Sequence, residues 1–204
     1  MERTSKKYFQ YDANFASIYN DVNFDDICYY FVKQFELTHA YPTGSLVDLC
    51  CGTGQIANIF KTRFEDLEVV GYDLSQNMLE FANYNNITFR NDSILSINEK
   101  FDNIVCNNAY HHFDDISLFW DTIHRISHES TNFLISDNVR PDTEAQLNNI
   151  VTGVLGNNSP LSESFELALS SSYSIEELND HAKDYNLIVH DTPVADLKIF
   201  FIHN

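Results

Sequence analysis

The chain has 204 residues, 44% of them hydrophobic, and a net charge of −18. Such a length and composition predict a single domain over residues 1–204 that buries a real core, and they exclude an intrinsically disordered chain. The excess of negative charge repels phosphate backbones and anionic lipid, so neither a nucleic acid nor a membrane is expected as a partner.

Residues 1–44 are rich in aromatics. Tyr8, Tyr11, Phe15 and Tyr19 recur at steps of three and four, which predicts one face of a helix. SLVDLC (Ser45 to Cys50) is an apolar run that ends at glycine punctuation and predicts a first strand. LEVVGYD (Leu67 to Asp73), ITFRND (Ile87 to Asp92), FDNIVCN (Phe101 to Asn107) and TNFLISD (Thr131 to Asp137) predict four more. After Asp73, Ser75 is placed to cap a helix carrying Met78, Leu79 and Ala82. After the fourth strand, Ile116, Phe119, Trp120, Ile123 and Ile126 fall at helical spacing. Residues 138–173 follow strand five. Within them Leu147, Ile150, Val151, Val154 and Leu155 make a helical stripe that Gly156 is placed to stop.

Ser174 to Glu177 is a capping box that opens a helix to about Tyr185. LIVHDTPVAD and LKIFFIHN then give two β-rich segments joined near Ala195–Asp196, and so short a connection implies an antiparallel pair. Strands alternating with helices predict an α/β fold: a doubly wound, seven-stranded, mostly parallel sheet with an antiparallel C-terminal strand and helices on both faces. No apolar run is long enough to span a bilayer, and the opening MERTSKKYFQ has no apolar signal-like core. Cys28, Cys50, Cys51 and Cys106 form no CxxC pair, so free thiols in a reducing cytoplasm are expected.

The most informative stretch is VDLCCGTGQIA, Val47 to Ala57. Gly52, Gly54 and Ala57 fit the dinucleotide-type pattern G-x-G-x-x-A, and Asp73 follows where an acid would bind ribose hydroxyls. Strand, glycine loop, helix, strand and terminal acid in that order leave little room for a plain tight turn. Three details point away from a nicotinamide dinucleotide. Asp48 stands just before the turn, where a carboxylate repels a pyrophosphate but suits a ligand with an ammonium and a sulfonium. Asp92 ends the third strand in RNDSI, where an adenine amino group can be read. Thirdly, no second catalytic domain of the kind a dehydrogenase needs is expected.

At these residues the chain resembles the class I S-adenosylmethionine (SAM)-dependent methyltransferases. It is similar to the small-molecule branch that includes the quinone-biosynthesis and type 11 or 25 groups. VDLCCGTGQIA resembles the family's first motif, VVGYDLSQNMLEFA its second, NDSI its third and FDNIVCNNAYHHFDD its fourth. DTIHRISHESTNFLISD and YSIEELNDHAKDYNL resemble the helix, fifth strand and final helix.

The resemblance implies SAM as cofactor and implies roles by position. Gly52 and Gly54 bring backbone against the methionine part, and Asp48 orders that loop and the ligand's amino group. Asp73 takes the ribose hydroxyls. Leu74 and Met78 pack on adenine, Asp92 and Ser93 face its edge, and the Asn107 backbone touches the amino group. Two departures stand out: Cys50 occupies the place of the family's first glycine, and SHEST replaces the usual Lys-Pro-Gly-Gly turn before strand five. Residues 1–44 are implied to be an N-terminal helical lid and 138–173 a substrate-side insert.

Methyl transfer from a sulfonium is an in-line displacement in which alignment supplies much of the rate. A base matters only where the nucleophile holds a proton. His111 and His112, beyond the end of strand four, are the candidates, with His111 favoured; the competing reading has one of them pin the loop. Asp114 and Asp115 follow, but adjacent residues converge poorly on one ion and no spaced third ligand exists, so no metal is expected.

Tyr11 and Tyr19 match aromatic positions that close over SAM in related enzymes, where a cation over a ring gains roughly 0.5–2 kcal/mol. Tyr8 and Phe15 serve equally well to dock the helix. The acceptor pocket is expected between this helix and residues 138–173, and those short, acidic-to-neutral inserts point to a small molecule. Three alternatives stay open: a reaction that moves or cyclises the aminocarboxypropyl chain of SAM, an NAD(P)-dependent oxidoreductase, and a non-catalytic SAM-binding subunit.

Overall fold

The computed structural model describes residues 1–4, 11–22, 24–185, 187–194 and 197–203. Tyr8 and the Ala195–Asp196 connection, both singled out in the sequence, lie outside the described residues. In chain order the elements are α1 (Ala13–Asp21), α2 (Asp25–Thr38), β1 (Ser45–Leu49), α3 (Gln55–Arg63), β2 (Glu68–Asp73), α4 (Gln76–Leu79), β3 (Ile87–Asn91) and β4 (Phe101–Asn107). Then come α5 (Ile116–Ile126), β5 (Ser127–Asn138), α6 (Glu144–Leu155), α7 (Ser162–Ser171), α8 (Ile175–Tyr185), β6 (Ile188–Val194) and β7 (Leu197–His203). The seven strands join in the order β3-β2-β1-β4-β5-β7-β6. β2 and β4 flank β1 in parallel, β3 extends β2 in parallel, and β6 and β7 pair antiparallel. The expected α/β sheet is therefore present, with its parallel part at β1–β4 and an antiparallel pair at the end of the chain.

The chain divides into two compact units. One is Gln10–Asn107 with Asp115–Leu134; the other is Met1–Phe9, Asn108–Asp114 and Ile135–Asn204. In the first, Leu46, Val47 and Leu49 of β1 and Ile104, Val105 and Cys106 of β4 are fully buried. α3 adds Ile56, Ala57, Ile59 and Phe60, and Phe60 meets Phe35 of α2 edge-on at 5.2 Å. α5 is capped by the Asp115 carboxylate, which accepts from the Ser117 N–H, and it turns Phe119, Trp120, Ile123 and Ile126 inward as their spacing predicts. Trp120 meets Phe119 and Phe133 edge-on. In the second unit Tyr110 is enclosed by Tyr173 and Phe200 at 5.3 and 5.6 Å.

Several local readings change. Asp12 caps α1 by accepting from the Phe15 N–H, so Tyr11 stands before that helix and only Phe15 and Tyr19 lie on it. α4 is a single turn, capped by Ser75 as expected, and Ala82 lies beyond its end. SHEST is strand from its first residue, because Thr131 Oγ1 accepts from the His128 N–H and donates to the Phe101 carbonyl, tying the segment to β4. Val154 on α6 is 45% exposed, whereas Leu147, Ile150 and Val151 are buried. Gly156 ends α6 at φ 74 as its position predicts, and the Ser174–Glu177 box opens α8 with both of its reciprocal bonds made.

Candidate functional site

In the first unit the parallel register brings the carboxyl ends of β1 to β4 level. Asp48 stands beside Gly71 and Val105, and Asp73 beside Asn91. Ligands of open α/β sheets bind beyond such ends. The turn after β1 needs left-handed backbone at Cys50 (φ 56), Gly52 (φ 55) and Gly54 (φ 78). A Cβ on Gly54 would lie 2.7 Å from the Phe89 ring, so glycine is required there on space as well as on conformation. Cys50 adopts the same left-handed geometry with a side chain, the less favourable choice for an L-residue.

Two carboxylates tie this loop. Asp48 is buried, and its Oδ2 accepts from the Ala57 N–H at 3.1 Å, joining the end of β1 to the first turn of α3. Asp73 Oδ2 accepts from the Gly52 N–H at 2.7 Å and its Oδ1 from the Ser75 N–H at 2.8 Å, so one side chain joins the glycine turn to the loop after β2. Burial pushes Asp48 up to about 8, with the nearby Asp73 charge adding to the effect. Burial also raises Asp73, against the pull of its two N–H donors. Among the described residues neither carboxylate has an ion-pair partner.

The other expected cofactor residues fall around this loop. Leu74, directly after Asp73, is 53% exposed, an apolar surface beside an acid. Met78 is buried, with Cε 3.4 Å from where a Gly52 Cβ would stand, so it supports the loop from below. Asp92 is exposed and accepts from the Ser93 N–H. Ser93 in turn accepts from the Leu95 N–H and caps a short 3-10 turn. Asn107 is half-buried at the end of β4. Tyr11 is tied to the same corner, because its carbonyl accepts from Asn77 Nδ2 at 2.7 Å. Tyr19 is held in a ring series, Tyr11–Phe15–Tyr19–Phe24, with centroid separations of 4.4, 6.0 and 4.9 Å.

Asn91 carries a function that the sequence reading missed. Its Nδ2 donates to the Asp73 and Leu74 carbonyls, both at 3.0 Å, and so shapes the loop after β2. An acid-lined, glycine-floored turn with an adjacent apolar surface fits an adenosine ligand that carries positive charge, and it disfavours a pyrophosphate.

The two histidines lie in the second unit, on a 3-10 turn at Tyr110–His112. His111 is buried. Its Nδ1 is 2.7 Å from Asp137 Oδ2, the same oxygen that accepts from the His111 backbone N–H at 2.9 Å. Asp137 Oδ1 accepts from the Asn138 N–H. An acceptor-only carboxylate places the imidazole proton on Nδ1. His112 is half-buried, its ring 4.2 Å from that of His111. Asp137 was read in the sequence only as the last residue of strand five; its pairing across 26 positions leaves no local signal. Asp114 pairs with Arg3 at 3.2 Å, and Asp115 caps α5, which accounts for both acids after the histidines.

Comparison with known proteins agrees with this geometry. Residues 42–188 match a family described as "Methyltransferase domain". Among solved structures, the plantazolicin methyltransferase BpumL, in complex with a pentazolic desmethylPZN analog and SAH, superposes with a TM-score of 0.71. It is 15% identical, over 94% of this chain and 91% of its own. Haemonchus contortus phosphoethanolamine N-methyltransferase 2, with phosphomonomethylethanolamine and S-adenosylhomocysteine, gives 0.69 at 15% identity over 95% of this chain and 57% of its own. At these identities the two show a common fold. Carboxy-S-adenosyl-L-methionine synthase from Campylobacter hominis is 30% identical over 115 residues, which span 50% of this chain and 49% of that protein. With the family match running through the glycine turn, the two acids and all of β1 to β5, this chain belongs to the methyltransferase domain family.

Proposed function

We propose that this methyltransferase delivers its methyl group to a small-molecule acceptor and that His112 takes the acceptor's proton. SAM supplies the methyl group on a sulfonium, a donor already activated for displacement. The chain's own residues bind, orient and deprotonate. Gly52 and Gly54 let backbone approach the ligand, Asp48 holds the turn, and Asp73 offers the lone pairs left over from its two N–H bonds to ribose hydroxyls. Leu74 gives an apolar face to adenine, with Asp92 and Ser93 at its edge, Asn107 near the amino group, and Tyr11 and Tyr19 as aromatic cover. Residues 138–173, which form α6 and α7, serve as the substrate-side insert.

The observation that carries the proton-transfer part is the buried Asp137–His111 pair beneath the half-buried His112 ring. The sequence alone favours His111. Burial reverses that preference, since a group that meets substrate needs access and one that holds another in place does not. With its proton directed at Asp137, His111 is a rigid support for the ring beside it. A net charge of −18 and the short inserts support a small acceptor over a nucleic acid.

The test is S-adenosylhomocysteine formation with panels of phenols, amines and carboxylic acids. His112→Gln is expected to lower turnover on an active acceptor by on the order of 10²-fold with SAM affinity kept. Asp137→Asn should lower it less. Undiminished turnover in His112→Gln would remove the base assignment.

A second reading is supported by the curated relative named carboxy-S-adenosyl-L-methionine synthase: SAM itself is the molecule modified. It predicts a nucleoside product heavier than SAM by a carboxyl group and no S-adenosylhomocysteine. Family membership sets aside the nicotinamide oxidoreductase.

A further inference from the structure

Arg3 is bound more fully than any surface arginine needs to be. Its Nε donates to the Ser171 carbonyl at 2.8 Å, at the C-terminal end of α7, and its Nη1 donates to Asp114 Oδ1 at 3.2 Å. Its Nη2 donates to the Phe113 carbonyl at 3.2 Å and the His111 carbonyl at 3.4 Å. The guanidinium carbon lies 4.2 Å from the centroid of the Tyr173 ring, and the side chain is 17% exposed. Tyr173 is buried, and its hydroxyl donates to the same Phe113 carbonyl at 2.6 Å. The Thr4 N–H donates to the Ser170 carbonyl at 3.0 Å, which fixes the backbone beside the arginine.

We infer that Arg3 is a positioning residue for His112. The two carbonyls bound by Nη2 belong to His111 and Phe113, the residues on either side of His112, so one guanidinium edge grips the chain before and after that ring. The other nitrogens anchor the grip to α7 and to Asp114, and the Tyr173 face fixes the plane of the group. Only a planar fork satisfies all four acceptors; an ammonium at the same place is a point charge that cannot span them. From within, the buried Asp137 holds His111; from outside, Arg3 holds the peptide groups next to His112. The His112 ring is thus set from two sides by residues 134 positions apart in the chain. The relevance to methyl transfer rests on the proposal that His112 meets the acceptor.

The test uses the full chain labelled for NMR, as wild type, Arg3→Met and Arg3→Lys, each with and without SAM. Expected are one sharp set of His112 ring resonances in wild type and broadened or multiple sets in both variants. Amide exchange at His112 and Phe113 should become about tenfold faster or more, with amides of β1 and β2 unchanged. Arg3→Ala with methylguanidinium added should recover the single set, and methylammonium should not. A sharp, unshifted His112 ring in Arg3→Met would overturn the inference. Should that variant fail to fold, Arg3→Lys keeps the stem and charge and decides it: an unchanged ring there overturns it equally. The SAM arm separates the two claims. Wild type that fails to bind SAM sinks the function proposed above, while the ring signals still decide the role of Arg3.

Discussion

Asp48 is held far from its ordinary state. Burial raises its carboxyl from 3.8 to about 8, so between those values the folded chain holds a proton that the unfolded chain has released. Folding then takes up a proton, and by linkage the contribution is complete at about pH 4 and below and is lost as pH rises toward 8. The Asp48 contribution to the stability of the ligand-free protein should therefore fall steadily over that window. Asp48→Asn keeps a carbonyl for the Ala57 N–H and removes the titration, so its melting temperature should vary less between pH 4 and 8. Equal slopes for the two proteins would show that Asp48 is ionised in the fold. The same burial explains why an acid before a glycine turn suits a cationic ligand, since the ligand supplies the counter-charge that the described residues do not place there.

At the scale of elements, α6 offers a clean measurement. Thr143 accepts from the Gln146 N–H while the Gln146 side chain accepts from the Thr143 N–H, a reciprocal box that satisfies two otherwise open donors. Thr143→Ala should cost about 1 kcal/mol in urea unfolding, and Thr143→Ser should cost little. A wild-type midpoint in the alanine variant would mean that packing of Leu147, Ile150 and Val151 alone sets the start of this helix. α5 was legible because Phe119, Trp120, Ile123 and Ile126 repeat at helical spacing and all face inward. α7 was not, because SESFELALSS follows Leu161, which gives no side-chain cap. The polar start of β5 was not legible either: its strand character comes from the tie of Thr131 to Phe101, 30 residues away. In the candidate site, the glycine turn, Asp48 and Asp73 were visible as a local pattern. Asp137 and Arg3 were not, because each acts on residues more than 25 positions distant. Long-range pairs between polar groups leave no periodicity to read.

Over the whole molecule, charge and site chemistry agree. A net charge of −18 with the Asp73 carboxylate at the glycine turn favours a cationic ligand over a neutral one, and methyl transfer would remove the positive charge from sulfur. The same field attracts the reactant and weakens the hold on what remains. The most direct test follows the methyl group itself. The protein is incubated with SAM labelled at the methyl carbon and a mixture of small-molecule acceptors, and the products are separated and weighed by mass spectrometry. The account predicts label in a small molecule, an equal amount of unlabelled S-adenosylhomocysteine, and the loss of both in Asp73→Ala. Label retained in a modified nucleoside, or methylthioadenosine formed without an acceptor, would contradict it.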